Sequence, residues 1–328
     1  MPSSLRAAIF IAAAAVSLGS SWLLVVRLER IGKRLRFSEA LLGMVAALAA
    51  DAPEVTTAVT ALLNHDRRVG AGVILGSNAF NIATLLGIGA LVAGFIALHR
   101  RVVAMNGAVA AWVALACVLA VFGVVDVAVA LALSLAVFVP YLALLGGARF
   151  GLPRGWSRWL ATAVGEEEAE LEPAIHPRRG GPRDAALALG ALAVVVGASV
   201  LMEHEATTIG SAWSVAPILI GALVLAAVTS LPNAVAGIYL AARGRGAASL
   251  STALNSNLLN VIAGLLVPGA ILGLGRADTQ TTLITLAYVA LTALALAAAY
   301  AGRGLGRVAG VVLVLAYLGF SAALLAST

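Results

Sequence analysis

Ten apolar runs decide what this chain can fold into. They lie near 6–27, 39–63, 70–97, 102–124, 127–146, 185–202, 216–241, 246–273, 281–301 and 306–325. A spanning helix needs about 20 apolar residues. The runs are continuous rather than alternating, which excludes the strands of a closed barrel. Composition agrees: of 328 residues, 62% are hydrophobic and only 11% charged, and the mean hydropathy is +1.03. Soluble domains carry roughly 25% charged residues. The chain therefore reads as an all-α, multi-pass integral membrane protein of ten transmembrane helices. Its first run reads as a span rather than a cleaved leader, because no small-residue cleavage site precedes the next run.

The basic residues give the orientation. Numbering the loops by the runs they join, loops 1–2, 3–4, 5–6, 7–8 and 9–10 share one side. Of the 21 lysines and arginines, 17 fall there; Arg6, Arg67, Arg68 and Arg276 fall on the other side. This bias places the first set of loops in the cytoplasm and both termini outside. The net charge of +6 follows from it and does not indicate nucleic acid. The single Cys117 sits in an apolar run, so there is no disulfide framework.

The longest loop splits the chain into a first half, residues 1–146, a cytoplasmic linker, 147–183, and a second half, 184–328. Trp156 and Trp159 are three apart and fit one side of a short interfacial helix. The acidic run Glu166–Glu172, "EEEAELE", reads as solvated linker in preference to a regulatory cation site.

The halves repeat each other. "DAPE" (Asp51–Glu54) and "GSNAFN" (Gly76–Asn81) answer "TSLPN" (Thr229–Asn233) and "NSNLLN" (Asn255–Asn260). Pro53 and Pro232, Ser77 and Ser256, Asn78 and Asn257, and Asn81 and Asn260 are all separated by 179 positions. Five helices per half is an odd number, so the second half enters the membrane from the opposite side. The result is an inverted 5+5 repeat, an arrangement built around sites near the bilayer midplane.

These segments resemble the two repeats of the sodium/calcium exchanger family, in the cation/calcium exchanger superfamily. Its repeats run approximately G-T-S-x-P-E near the start and G-S-N-x-x-N or -D at the end. The 27-residue interval from Glu54 to Asn81, and from Asn233 to Asn260, is the family's interval. The resemblance implies ten helices with broken helices 2 and 7 and termini outside the plasma membrane. It implies an antiporter of inorganic cations that exchanges Ca²⁺ for Na⁺ or H⁺ by alternating access. The ions are cargo, and no cofactor is implied.

The chain departs from that pattern, most of all in where its carboxylates stand. Asp51 stands at the first repeat's serine position, and Asn233 stands where the second repeat should carry an acid. Two carboxylates remain, both in one half. They preserve a formal charge of −2 while removing the symmetry of the family's cage.

Proline 53 has no amide hydrogen and clashes with the preceding turn, so helix 2 should break there. Such a break is tolerated where the freed backbone lines a cavity or is buried in protein. The carbonyls of Ala49 and Ala50 are then expected to become ligands. Asp51 and Glu54 share one helix face, and no Lys or Arg lies deep in a span to pair with them. A cation, protons or a shared proton remain as partners. Pro232 repeats the break beside Thr229, Ser230 and Asn233. Asn81 and Asn260 add amide oxygens, and Ser77 and Ser256 come with the G-S-N and N-S-N segments. With Glu54 as principal ligand and Asp51 as ligand or proton carrier, this set is all oxygen, which suits Ca²⁺ or Na⁺ and disfavours soft metals.

Other residues carry less. Asn78 and Asn257 fit ligation and helix-tying equally well. Thr56 and Thr57 are left out, because threonine hydroxyls bond back into their own helix. His65, His99, His176 and His204 are expected in loops, and Glu203 and Glu205 as surface acids at the outer mouth. Only Asp51 lies deep among the aspartates, so an intramembrane aspartyl hydrolase has no second acid on a facing helix, and no nucleotide, zinc or serine-elbow motif occurs. The alternative to antiport is an exchanger-fold protein that is a passive cation pathway or a non-transporting structural protein.

Overall fold

The computed structural model describes residues 2–148, 150–170 and 180–327. His176 and the end of the acidic run, Leu171 and Glu172, lie outside the described residues. Among the described residues thirteen helices follow in order: α1 (Ser3–Arg34), α2 (Glu39–Ala50), α3 (Ala52–Leu63), α4 (Arg67–Ala93), α5 (Arg100–Val121), α6 (Val127–Leu145), α7 (Arg154–Glu168), α8 (Pro182–Ala212), α9 (Pro217–Thr229), α10 (Leu231–Ala242), α11 (Gly246–Leu272), α12 (Thr279–Gly302) and α13 (Arg307–Ala326). Eight are uninterrupted spans. The pairs α2–α3 and α9–α10 are bent by 47° and 51° and complete the ten.

The breaks fall one step earlier than proline chemistry alone suggests. Asp51 and Ser230 take the turn, and Pro53 and Pro232 sit within the first turn of α3 and α10. There the missing N–H has no helical partner to lose, and the fixed φ starts the new helix. Asp66, Asp126 and Asp278 cap α4, α6 and α12, accepting from Val69, Ala128 and Thr281 N–H groups at 3.3, 2.8 and 2.8 Å. They satisfy amides that a helix start leaves free.

Two boundaries differ from the sequence reading. α1 and α8 run 32 and 31 residues, longer than their apolar runs, and pack along each other; Ser17 and Ser199 hydroxyls meet between them at 2.9 Å. The extension of α8 carries His204 onto a helix. It also buries Glu203 and Glu205, 3% and 5% exposed, which corrects their expected place as surface acids. Arg6 of α1 donates to Glu205 at 3.1 Å. The ion pair lets the apolar packing continue past the charges.

α4 and α11 occupy the centre. In their most apolar stretches 89% and 78% of residues are buried, against 22% in α6 and α13. α4 crosses α9 at very short range: a Cβ on Gly76 would lie 2.4 Å from the Ala222 carbonyl, and one on Gly221 2.5 Å from the Val69 carbonyl. Small residues permit this approach, as in other membrane helix crossings. Both central helices pass into π-helical turns, at Ile82–Ile88 and Asn260–Leu266, directly at the paired asparagines 81 and 260. π turns of this kind concentrate at functional sites.

The loops sort onto two faces as the charge pattern requires. β1 (Phe95–Ala97) in loop 3–4 pairs antiparallel with β2 (Gly304–Gly306) in loop 9–10. Asp184 at the start of α8 receives Arg27 and Arg30 of α1 at 3.0 and 3.4 Å. At the opposite face Arg67 and Arg68 reach the Leu272 carbonyl and Asp278, at 3.2 and 2.9 Å. We refer to the face that carries α7 as the linker face.

α7 is a short helix where the paired tryptophans announce one, with Trp156 and Trp159 edge to face at 6.3 Å. The acidic run after them is not simply solvated: Glu167 is 0% exposed. Its contacts join residues 61 positions apart, which no local charge pattern encodes.

Candidate cation site

The two breaks meet at the centre of the protein. Asp51 and Glu54 are both 0% exposed. Among the described residues, every side chain that donates to them is neutral and comes from the second half. Ser230 donates to Glu54 Oε1 at 2.5 Å, and Asn260 donates to Glu54 Oε2. Asn233 donates to Asp51 Oδ1 at 2.6 Å and Ser256 to the same oxygen at 2.7 Å. The 179-residue register makes two of these contacts images of one another. Position 51 answers position 230, and 54 answers 233. In one pair the serine before the proline serves the acid after it; in the other the amide after the proline serves the acid before it.

The asparagines form a second symmetric set. Asn78 Nδ2 donates to the Asn257 carbonyl at 3.1 Å, and Asn257 Nδ2 donates to the Asn78 carbonyl at 3.0 Å. Asn260 donates to Asn78 Oδ1 at 3.2 Å, and Asn81 to Asn257 Oδ1 at 3.1 Å. Asn78 and Asn257 thus lie on the pseudo-two-fold and tie α4 to α11. Asn81 also donates to Ser256 at 3.1 Å.

Among the described residues, four buried oxygens at this junction have no hydrogen-bond partner: Asp51 Oδ2, Asn81 Oδ1, Asn260 Oδ1 and Thr57 Oγ1. Asn81 and Asn260 each turn their N–H groups to neighbours and leave the carbonyl oxygen free, one from each half. A buried acceptor without a donor is unfavourable by about 1–3 kcal/mol. Hard oxygens with a net formal charge of −2 and no cationic side chain among the donors are the chemistry of a hard cation.

The structure brings Glu54, Asp51, Ser230, Asn233, Ser256, Asn260 and Asn81 into one connected cluster. Two further positions stand apart from the carboxylates. Thr229 donates back to the Leu225 carbonyl at 2.8 Å, and Ser77 to the Ala226 carbonyl at 3.5 Å. The carbonyls of Ala49 and Ala50 accept from Ser21 of α1 at 2.9 and 3.3 Å. Ser21 carries no sequence signal, because its partner lies 28 positions away on another helix. Thr57 does not bond into its own helix as threonines commonly do; its hydroxyl makes no hydrogen bond among the described residues and is fully buried. Its signal was its place three residues after Glu54, on the same helix face.

Comparison with known proteins agrees with this architecture. The family described as "Sodium/calcium exchanger protein" matches residues 5–148 and 185–326, leaving out the linker. The chain is 25% identical to the inner membrane protein YrbG of Escherichia coli (strain K12), over 76% of this chain and 72% of that protein. It is 28% identical to the putative antiporter CaxA of Alkalimonas amylolytica, over 80% of each. Among solved structures, the sodium-calcium exchanger NCX_Mj superposes with a TM-score of 0.63 at 19% identity, covering 97% of this chain and 98% of that one. Native YfkE superposes with a TM-score of 0.68 at 18% identity, over 99% and 93%. The two matched blocks are the two five-helix halves, each with its proline break and G-S-N or N-S-N segment in the register described above, and on this ground the chain belongs to the sodium/calcium exchanger family.

Proposed function

We propose that the protein is a secondary cation antiporter that exchanges Ca²⁺ for Na⁺ or H⁺ across the cell membrane by alternating access. The observation that carries this reading is the pair of buried carboxylates held by neutral donors from the opposite half, beside four orphaned oxygens. The relative named as a putative antiporter and the sodium-calcium exchanger of the same fold support it.

In this reading Glu54 and Asp51 supply the charge that offsets a divalent ion. Asn81 and Asn260 supply amide oxygens, and Ser230, Asn233 and Ser256 orient the acids. Thr229 and Ser77 contribute lone pairs while their hydroxyl hydrogens hold backbone. The site lies between the halves 1–146 and 184–328, so a relative movement of the halves exposes it to one face at a time. The linker 147–183 lies in the cytoplasm and both termini lie outside. A passive pathway keeps a continuous opening; the complete burial of both acids favours exchange.

The test is ion flux in proteoliposomes. An outward Na⁺ or H⁺ gradient should drive Ca²⁺ uptake, and collapse of the gradient should stop it. Uptake that ignores the counter-ion indicates a passive pathway. No uptake of any ion in a panel of mono- and divalent cations overturns the reading.

A further inference from the structure

The end of α7 and the residues after it carry Glu166, Glu167, Glu168 and Glu170. Three of these are engaged. Glu166 accepts from Arg101 of α5 at 3.4 Å. Glu170 accepts from the Ala247 N–H of α11 at 2.6 Å, in a first turn whose free amides and dipole favour an anion. Glu167 accepts from Asn106 Nδ2 of α5 at 3.0 Å. Burial pushes the Glu167 carboxyl above the ordinary glutamate range, and the Asn106 amide works against that shift.

From Asn106 a line of buried polar groups runs inward. The Tyr141 hydroxyl of α6 donates to Asn106 Oδ1 at 2.5 Å and lies 3.1 Å from Asn255 Oδ1 on α11. One phenolic hydrogen serves the shorter contact. The Asn255 Oδ1 contact is the longer of the two and brings α11 to the inner end of the line. Asn255 directly precedes Ser256, which donates to Asp51. The line thus joins the linker helix, two helices of the first half and one of the second. Glu167 enters the line through Oε2 alone, its Oε1 being buried without a hydrogen-bond partner among the described residues, and breaking one member of a buried polar line strands the others.

We propose that Glu167 is a positioning residue: through Asn106 and Tyr141 it latches the linker helix to Asn255 and holds the linker-face end of α11 closed over the ion site. The inference rests on the reading of Asp51 and Glu54 as that site, but its test does not use transport. α11 also carries Ser256 and Asn260, so opening toward the linker face moves the residues that Glu167 and Glu170 hold.

Thr252 lies one turn from Ser256 toward the linker face, on the same side of α11. In purified Cys117→Ser protein, a cysteine at Thr252 reports that opening through its rate of labelling by a bulky hydrophilic maleimide. Glu167→Ala should raise the rate about tenfold, the effect of leaving the buried Asn106 amide without its acceptor. Glu167→Gln keeps the shape and one acceptor and should give about a third of that gain. It also decides the matter where Glu167→Ala does not fold. The native Cys117, fully buried in α5, reports general loosening in a protein that keeps it. An unchanged Thr252→Cys rate in both variants overturns the latch. So does an equal acceleration at Cys117, which would make Glu167 a packing residue only.

Discussion

The two proline breaks are alike in backbone and unlike in charge. Their bends, 47° and 51°, differ little, and both turns fall two residues before the proline, at Asp51 and Ser230. The first break carries two acids and the second none. Yet each acid faces the other half, Glu54 toward Ser230 and Asp51 toward Asn233. Backbone geometry follows the proline register, which the repeat preserves. Charge follows side-chain identity, which drifts, as long as the exchanged groups stay paired across the pseudo-two-fold. Moving an acid from position 233 to position 51 keeps it in the same pair.

The largest effect should come from removing charge at the first break. Glu54→Gln keeps shape and an oxygen but loses the charge, and Ca²⁺ flux should fall at least tenfold, since one charge–ion contact exceeds ~1.4 kcal/mol. Asp51→Ser should do the same, leaving one carboxylate against a divalent ion. Normal flux in well-folded Glu54→Gln protein moves the site elsewhere.

The comparison sharpens when the missing acid is restored. Asp51→Ser with Asn233→Glu rebuilds at the second break the serine-to-glutamate contact already present between Ser230 and Glu54. Flux in the double variant should exceed that of Asp51→Ser by about tenfold or more, because residues sharing one site couple by 0.5–3 kcal/mol. If the double variant transports no better than Asp51→Ser alone, positions 51 and 233 do not share an ion, and Asp51 has a separate role such as proton relay.

The smallest effect tests the symmetry itself. Asn78→Ala and Asn257→Ala each remove one reciprocal bond to backbone and one acceptor for a neighbouring amide. Each should lower stability by about 1–3 kcal/mol, and the two losses should match, read as thermal unfolding in detergent. A large loss for one and none for the other breaks the equivalence of the halves at their centre.

The sequence misled at its charged residues more than at its apolar ones. Glu203 and Glu205 looked like surface acids because they follow an apolar run, but α8 continues through them, with Arg6 as the partner of Glu205. The acidic run looked solvated because like charges in sequence repel, but Arg101, Asn106 and Ala247 approach it from other spans. Thr57 departs from the general habit of threonines in helices, its hydroxyl being left without a partner among the described residues. For each, the environment comes from a helix distant in sequence, and a window along the chain does not contain it.

By itself the sequence determined the number of spans, their order on two faces, the register of the repeat and the place of both breaks to within two residues. These follow from hydropathy over about 20 residues, from charge placement in short loops and from the stereochemistry of proline; all act locally. The tertiary structure decided which neutral group meets which acid, which oxygens are left without partners and where the linker glutamates dock. Ser230 and Glu54 are 176 positions apart, and Asn233 and Asp51 182. Their meeting depends on how two packed halves cross at Gly76 and Gly221, and a hydrogen bond that weakens steeply with angle and distance is settled only by that packing.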